Sequence, residues 1–396
     1  MISKKAMGIS PSPTLSIDSK FKEMKANGED VVGFGAGEPD FDTPQHIKDA
    51  AIAAINAGKT KYTPAAGTLA LRKAVADKFK RENGLDYKPS NIVVSNGAKH
   101  SLVNTFMAIL NPGDEVIIPA PYWVSYPEMV KLADGVPVSI QTTEEDGFKV
   151  TADEIRAAIT DKTKALILNS PSNPTGMVYT REELQAIAEV AVEKNIYVVS
   201  DEIYEHLIYE GEHVSIASFN DKIKDLTIVI NGVSKTYAMT GWRIGYAAAN
   251  DEIAKAMANI QSHASSNPNS IAQEAAVAAL TGGDEEILRM KRHFQKRRDF
   301  MVEMINSIDG VSCSMPHGAF YIMMNISKLK GKELYGTVIT SSDDFAELFL
   351  KVAKVAVVPG RGFEAEDFVR WSYATSMDNI VEGLERLKKF LSGKYE

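Results

Sequence analysis

The stretch Asn91-Ile92-Val93-Val94-Ser95-Asn96-Gly97-Ala98-Lys99 decides the architecture. Three β-branched residues in a row, with no polar alternation, read as a short strand buried on both faces. The strand stops at Ser95-Asn96, Gly97 permits a tight turn, and a helical pattern runs from Ala98 through Leu110. The same rhythm recurs downstream. Short apolar runs at Glu115–Pro119, Lys164–Asn169, Tyr197–Ser200 and Thr227–Asn231 alternate with helical segments at Tyr122–Lys131, Ala152–Ile159 and Arg181–Lys194. This alternation predicts an α/β fold, a mostly parallel sheet sandwiched by helices, in which ligands sit at the C-terminal ends of strands.

Upstream, the first 20 residues read as an extended arm, because Pro11 and Pro13 argue against a helix. A helical pattern follows near Ser19–Asn27, then a short strand at Val31–Ala36 and helices at Gln45–Ala57 and Thr68–Asn83. A long helical stretch, Gly283–Ile308, changes the rhythm. Strands at Ala319–Asn325, Ala356–Val358 and Val369–Tyr373, with helices at Ser342–Lys354 and Asp378–Leu391, predict a smaller α+β domain. The expected division is an arm and part of the small domain over 1–44, a large domain over 45–283 and a small C-terminal domain over 284–396.

The 396 residues carry 44 Lys plus Arg against 52 Asp plus Glu, a net charge of −8. An acidic balance argues against a nucleic-acid partner, since phosphate backbones select basic surfaces. The single cysteine, Cys313, excludes an internal disulfide and fits a reducing compartment. The N-terminal residues lack the apolar core of a signal peptide, and no run approaches the roughly 20 apolar residues of a membrane span. The expectation is a cytoplasmic protein without a membrane partner. Neither an H-E-x-x-H nor a C-x-x-C pattern is present, so no metal site is expected.

Four features fall at strand ends. Ser95–Lys99 offers free backbone N–H groups at a helix start, a natural anion site. Asn169-Ser170-Pro171-Ser172-Asn173-Pro174-Thr175-Gly176 forms a rigid loop that aims the Asn173 amide. Asp201, at the end of an apolar strand, is placed to pair with a cationic ring nitrogen, with the Tyr204 phenol three residues on. Glu202 beside it reads as an exposed loop acid. Lys235 follows a strand in a loop of small residues and suits Schiff-base chemistry. Arg243, eight residues later, suits a phosphate. Each feature alone has an ordinary alternative: a turn, a solvated acid, a surface lysine. Together they supply what pyridoxal 5′-phosphate (PLP) requires: an amine for its aldehyde, an acid for its ring nitrogen, a donor for O3′ and a phosphate cradle.

On these motifs, from Gly33–Phe41 to Val369–Ser376, the sequence resembles the fold-type I PLP-dependent aminotransferases of class I/II, in their bacterial aspartate aminotransferase branch. The resemblance implies a large PLP-binding domain plus a smaller α+β domain, and a homodimer whose active sites are shared across the interface. It implies that Lys235 is the catalytic lysine, Asp201 pairs with the ring nitrogen, Tyr204 and Asn173 bond O3′, and Trp123 stacks on the ring. Gly97, Ala98, Ser234 and Arg243 would hold the phosphate, with Tyr62 reaching in from the neighbouring subunit. Arg370 would grip the substrate α-carboxylate, helped by Asn173 and Gly37. Lys99 would read the distal carboxylate, helped from the arm by Ser12 and Thr14. Many relatives carry a serine three residues before the lysine; here that position is Gly232, which removes one expected phosphate contact. The implied reaction is ping-pong transamination of aspartate with 2-oxoglutarate. The same motifs also serve aminotransferases for prephenate, aromatic amino acids or alanine, and PLP-dependent lyases. A non-catalytic PLP-binding regulator would carry a DNA-binding domain, whereas only about 30 residues precede the first motif.

Overall fold

Seven strands form the central sheet of the computed structural model, which describes residues 1–11 and 13–395. They are β1 (Ile92–Ser95), β2 (Glu115–Ala120), β3 (Val136–Gln141), β4 (Thr163–Asn169), β5 (Tyr197–Asp201), β6 (Thr227–Gly232) and β7 (Gly245–Ala248). Their spatial order is β1-β7-β6-β5-β4-β2-β3, and β7 alone runs against the others. Successive side chains leave a strand on opposite faces. Val93, Val116, Ile118, Ile167, Val199 and Ile228 accordingly join one core, beneath the helices Ala98–Ile109 and Asp251–Ala264. The alternate residues Val94, Ile117, Leu166, Val198 and Val229 join cores on the other face. The sandwiched, mostly parallel sheet is the one read from the sequence.

The register aligns the strand ends. Asn169 of β4 pairs with Asp201 of β5, and β6 continues past Ile230, the partner of Asp201, to Gly232. Gly245 opens β7 opposite both Ser95 and Gly232. The segments after β1, β4, β5 and β6, and the one before β7, therefore meet along one edge. Gly232 has a packing reason: a Cβ there would lie 3.0 Å from both the Gly245 Cα and the Ile244 carbonyl oxygen.

A smaller sheet joins Val358–Pro359, Phe368–Ser372 and Tyr321–Asn325 in antiparallel order. Val32–Gly33 pairs in parallel with Val355–Ala356, so the N-terminal segment packs with the C-terminal part of the chain. Phe34 seals this union, its ring centroid 4.6 Å from that of Trp371. The extended-arm expectation is corrected. Lys4–Met7 is helical with Ser3 as its cap, and Pro13 opens a helix to Ala26. Proline is tolerated there because the first helical N–H has no partner within the helix. Ser12 lies outside the described residues, as does the side chain of Thr14.

Candidate active site

The aligned strand ends bound a cavity of about 390 Å³. Lys235, Asp201, Tyr204, Asn173, Trp123, Ala98, Ser234, Arg243, Gly37, Lys99 and Arg370, all predicted for the site, line it. Gly97 and Tyr62 do not. Gly97 stands directly behind Arg243. Tyr62 is 91% exposed, outside this cavity.

Lys235 leaves β6 through Val233-Ser234, and its Nζ donates to the Gly37 carbonyl. Burial lowers its pKa to about 8; Arg243 and Arg370 push the same way, and Glu38 opposes them. An amine near 8 has a substantial neutral fraction at physiological pH, which a nucleophilic lysine needs. Asp201, the last residue of β5, is 3% exposed. It accepts from the Tyr126 hydroxyl at 2.7 Å and from the Ile203 N–H at 3.3 Å. Burial nevertheless raises its carboxyl to about 6. A buried carboxylate with so little compensation favours a cationic partner.

Asn169 ties the proline-rich loop to β5: its amide donates to the Asp201 carbonyl at 2.9 Å, and its oxygen accepts from the Asn173 N–H at 2.8 Å. The Asn173 side-chain oxygen accepts from Arg370 Nη1 at 2.9 Å, and Arg370 Nη2 donates to the Gly35 carbonyl at 2.9 Å. Arg370 is 2% exposed and its Nε has no partner. A buried guanidinium with unused donors beside a cavity suits a planar carboxylate.

At the opposite end Arg243 donates to the Thr240 carbonyl at 2.9 Å and to the Asn96 carbonyl at 3.2 Å. Gly97 has φ +87°, and a Cβ on it would lie 2.2 Å from Arg243 Nη2. The glycine thus lets the guanidinium reach the start of the helix Ala98–Ile109. Helix N–H groups, Arg243 and the buried Ser234 together make a cradle for an anion. Trp123 forms a wall, edge-on to Tyr126 with centroids 5.4 Å apart. Lys99 Nζ lies 4.8 Å from the Trp123 ring centroid; partial burial and Arg243 both lower its pKa. The same cavity holds an amine, a buried acid and three phenols, a set that a phosphorylated pyridine aldehyde fits.

Tyr126 and Tyr321 escaped the sequence reading, and Asn169 entered it only as the first residue of the rigid loop. Tyr126 follows Trp123 by one helical turn, a usable signal; Tyr321 carried none. Glu202 is corrected. It is 1% exposed and accepts from Ser200 at 2.9 Å and Ser215 at 2.7 Å, with His213 at 2.9 Å. The chain turns back after Asp201 and buries that side chain instead of exposing it. Two groupings of metal-ligating residue types, Glu82–Glu205–His206 and Glu202–Glu205–His213, share Glu205, but the Lys78 ammonium already pairs with it.

The family description "Aminotransferase class I and II" matches residues 29–387. An aspartate aminotransferase of Bacillus sp. strain YM-2 is 53% identical over 392 residues, covering 99% of both chains. That of Bacillus subtilis is 51% identical over 391 residues, covering 98% of both. The solved aspartate aminotransferase of Rhizobium meliloti superposes with a TM-score of 0.96 at 44% identity, covering both chains fully.

Proposed function

The chain belongs to the aminotransferase class I and II family, and from that premise we propose that it is an aspartate aminotransferase using PLP on Lys235. L-Aspartate and 2-oxoglutarate would become oxaloacetate and L-glutamate in two half-reactions. The observation that carries the reading is the meeting of Lys235, Asp201, Arg243 and Arg370 in one cavity.

Bound PLP would supply an aldehyde carbon that carries the amino group and a ring that accepts electrons. Arg243, Ser234 and the N–H groups at Ala98 anchor its phosphate. Asp201 keeps the ring nitrogen protonated, and Tyr126 holds that carboxylate in place. Tyr204 and Asn173 donate to the ring oxygen, and Trp123 covers one ring face. Arg370 orients the substrate α-carboxylate, with Asn173 and the Gly37 backbone beside it. The Lys235 amine would take up the substrate Cα proton and hold it for return. Lys99 selects acidic side chains by pairing with the distal carboxylate, a reading supported by the similarity to aspartate aminotransferases.

Tyr62 points to a homodimer: it stands in solvent, and Ile52, Ile55 and Leu69 are also exposed, at 53%, 53% and 64%. We also propose a cytoplasmic location and the three-part division at residues 44 and 283; among the described residues no helix is long and apolar enough to cross a membrane.

The test is the visible spectrum of the PLP-loaded protein, before and after addition of single amino acids without a keto acid. Loss of the visible band with aspartate and glutamate is expected, and so is absence of the band in Lys235→Ala. Conversion by alanine or aromatic amino acids alone would remove the role of Lys99. No band in the wild type would overturn the whole reading.

A further inference from the structure

Tyr321 opens the strand Tyr321–Asn325, is fully buried, and still lines the cavity. Its hydroxyl lies 2.9 Å from that of Tyr204, the one hydrogen-bond partner of the Tyr204 hydroxyl among the described residues. Its ring centroid lies 4.5 Å from the Arg370 guanidinium. Phe320 flanks it, centroids 4.8 Å apart, and Gly37 leaves it room: a Cβ on Gly37 would sit 3.1 Å from the Tyr321 hydroxyl. One immobilised side chain thus touches both the phenol that faces the cofactor and the arginine that faces the substrate.

We propose that Tyr321 is a positioning residue that relays a hydrogen bond through Tyr204 to the cofactor oxygen while its ring carries Arg370. The inference rests on the PLP reading above. A tyrosine hydroxyl has one proton. When Tyr204 gives its proton to the cofactor oxygen, its own oxygen must accept, and in this buried place Tyr321 is the donor at hand. Donors in series polarise one another, so Tyr204 donates more strongly with Tyr321 behind it. A stronger donor at the ring oxygen stabilises its anionic form and makes the proton shared with Lys235 Nζ more acidic. The charged groups around the pair are Arg370 and Asp201, with Lys235, Glu38 and Arg243 across the cavity. Phenylalanine removes none of these charges, so it isolates the hydroxyl. Leucine removes the ring as well.

The experiment titrates the visible band of PLP-loaded wild type, Tyr321→Phe and Tyr321→Leu against pH, and measures the Kd of maleate, a non-reacting dicarboxylate, for each. In Tyr321→Phe the titration midpoint rises by at least about 0.2 pH unit, and the maleate Kd stays within about two-fold. In Tyr321→Leu the midpoint rises similarly, and maleate binds at least about five-fold more weakly, because no aromatic face remains to hold the guanidinium. A midpoint unchanged within about 0.1 unit in Tyr321→Phe, while wild type forms the band, overturns the relay alone. Equal maleate affinity in the Phe and Leu variants overturns the support given to Arg370. A wild type without any band instead defeats the PLP reading, and this inference with it.

Discussion

Replacing Lys78 by methionine tests whether the charges buried beneath the site hold its two strand ends together. Lys78 lies on the helix Leu69–Asn83, is 1% exposed, and pairs with Glu205, which is 7% exposed. Glu205 also accepts from Asn231 at 2.7 Å and from Asn83 at 2.9 Å. Asn231 belongs to β6, which leads to Lys235, and Glu205 directly follows Tyr204. His206 extends the network to Thr236, beside Lys235, at 3.2 Å. Removing one partner of a buried ion pair costs about 3–5 kcal/mol, because it leaves a charge uncompensated. Two amide donors remain on Glu205, so the low end applies, about 3 kcal/mol at pH 7. Burial raises the Glu205 carboxyl, yet Lys78, His206 and His213 overcome this and hold it well below the usual range. The native pair therefore stabilises the fold above the unfolded pKa of about 4.3, and that stability is lost as pH falls toward the depressed folded value. Without Lys78 the carboxyl can protonate in the folded state, so the penalty shrinks between pH 7 and pH 4. The assay is urea unfolding at fixed protein concentration across that range, with Lys78→Met/Glu205→Gln as the control. The double variant is expected to recover at least half of the lost stability, since the neutral amide removes the buried charge and its one oxygen still accepts from one of the two asparagines. A single-variant penalty below about 1 kcal/mol at pH 7, or one that grows toward acid, would show that the buried pair does not hold these elements together.

Three further outcomes follow from the geometry. Gly97→Ala puts a methyl where Arg243 Nη2 now lies, 2.2 Å from the new Cβ, at a φ of +87°; PLP affinity by equilibrium dialysis is expected to fall at least about ten-fold, and affinity within two-fold of wild type would contradict the cradle. Lys99→Ser is expected to lower kcat/KM for aspartate about 10- to 100-fold, the range set by removing one charge-assisted hydrogen bond, with alanine turnover nearly unchanged; equal decreases for both substrates would remove Lys99 from selection. Because the Lys235 pKa lies at about 8, the neutral amine grows with pH up to that value, so PLP capture by the cofactor-free protein in stopped flow should accelerate from about pH 6.5 and level off above about 8; a flat profile over this range would show that the amine is not limiting.

The sheet was legible wherever β-branched runs ended in turn residues, as at Ile92–Ser95 and Thr227–Gly232. β7 was not. Gly245-Tyr246-Ala247-Ala248 has no β-branched residue, and it is a strand because it fits between Ser95 and Gly232, whose partners it supplies. Pro13 misled for the opposite reason: the residue that forbids a helix interior is welcome at its first position. The β3 strand, Val136–Gln141, lies at the sheet edge and carries Pro137, a residue that edges tolerate and central strands do not.

The site divides in the same way. Asp201 ends a strand and Lys235 and Asn173 follow strands in the sequence, so topology alone brings them to one edge. The residues that control them arrive from elsewhere: Tyr126 reaches Asp201 from 75 positions away, and Tyr321 reaches Tyr204 from 117. Glu202 belongs with these, since its burial depends on Ser215 and His213, which only the folded loop returns to it. A strand-end motif names the group that does chemistry because local structure must present it. The partner that sets that group's charge is chosen by packing, and can come from any surface the fold brings back. For this reason a residue whose substitution should alter pH behaviour without removing the cofactor, Tyr321, is one that no single stretch of the sequence announces.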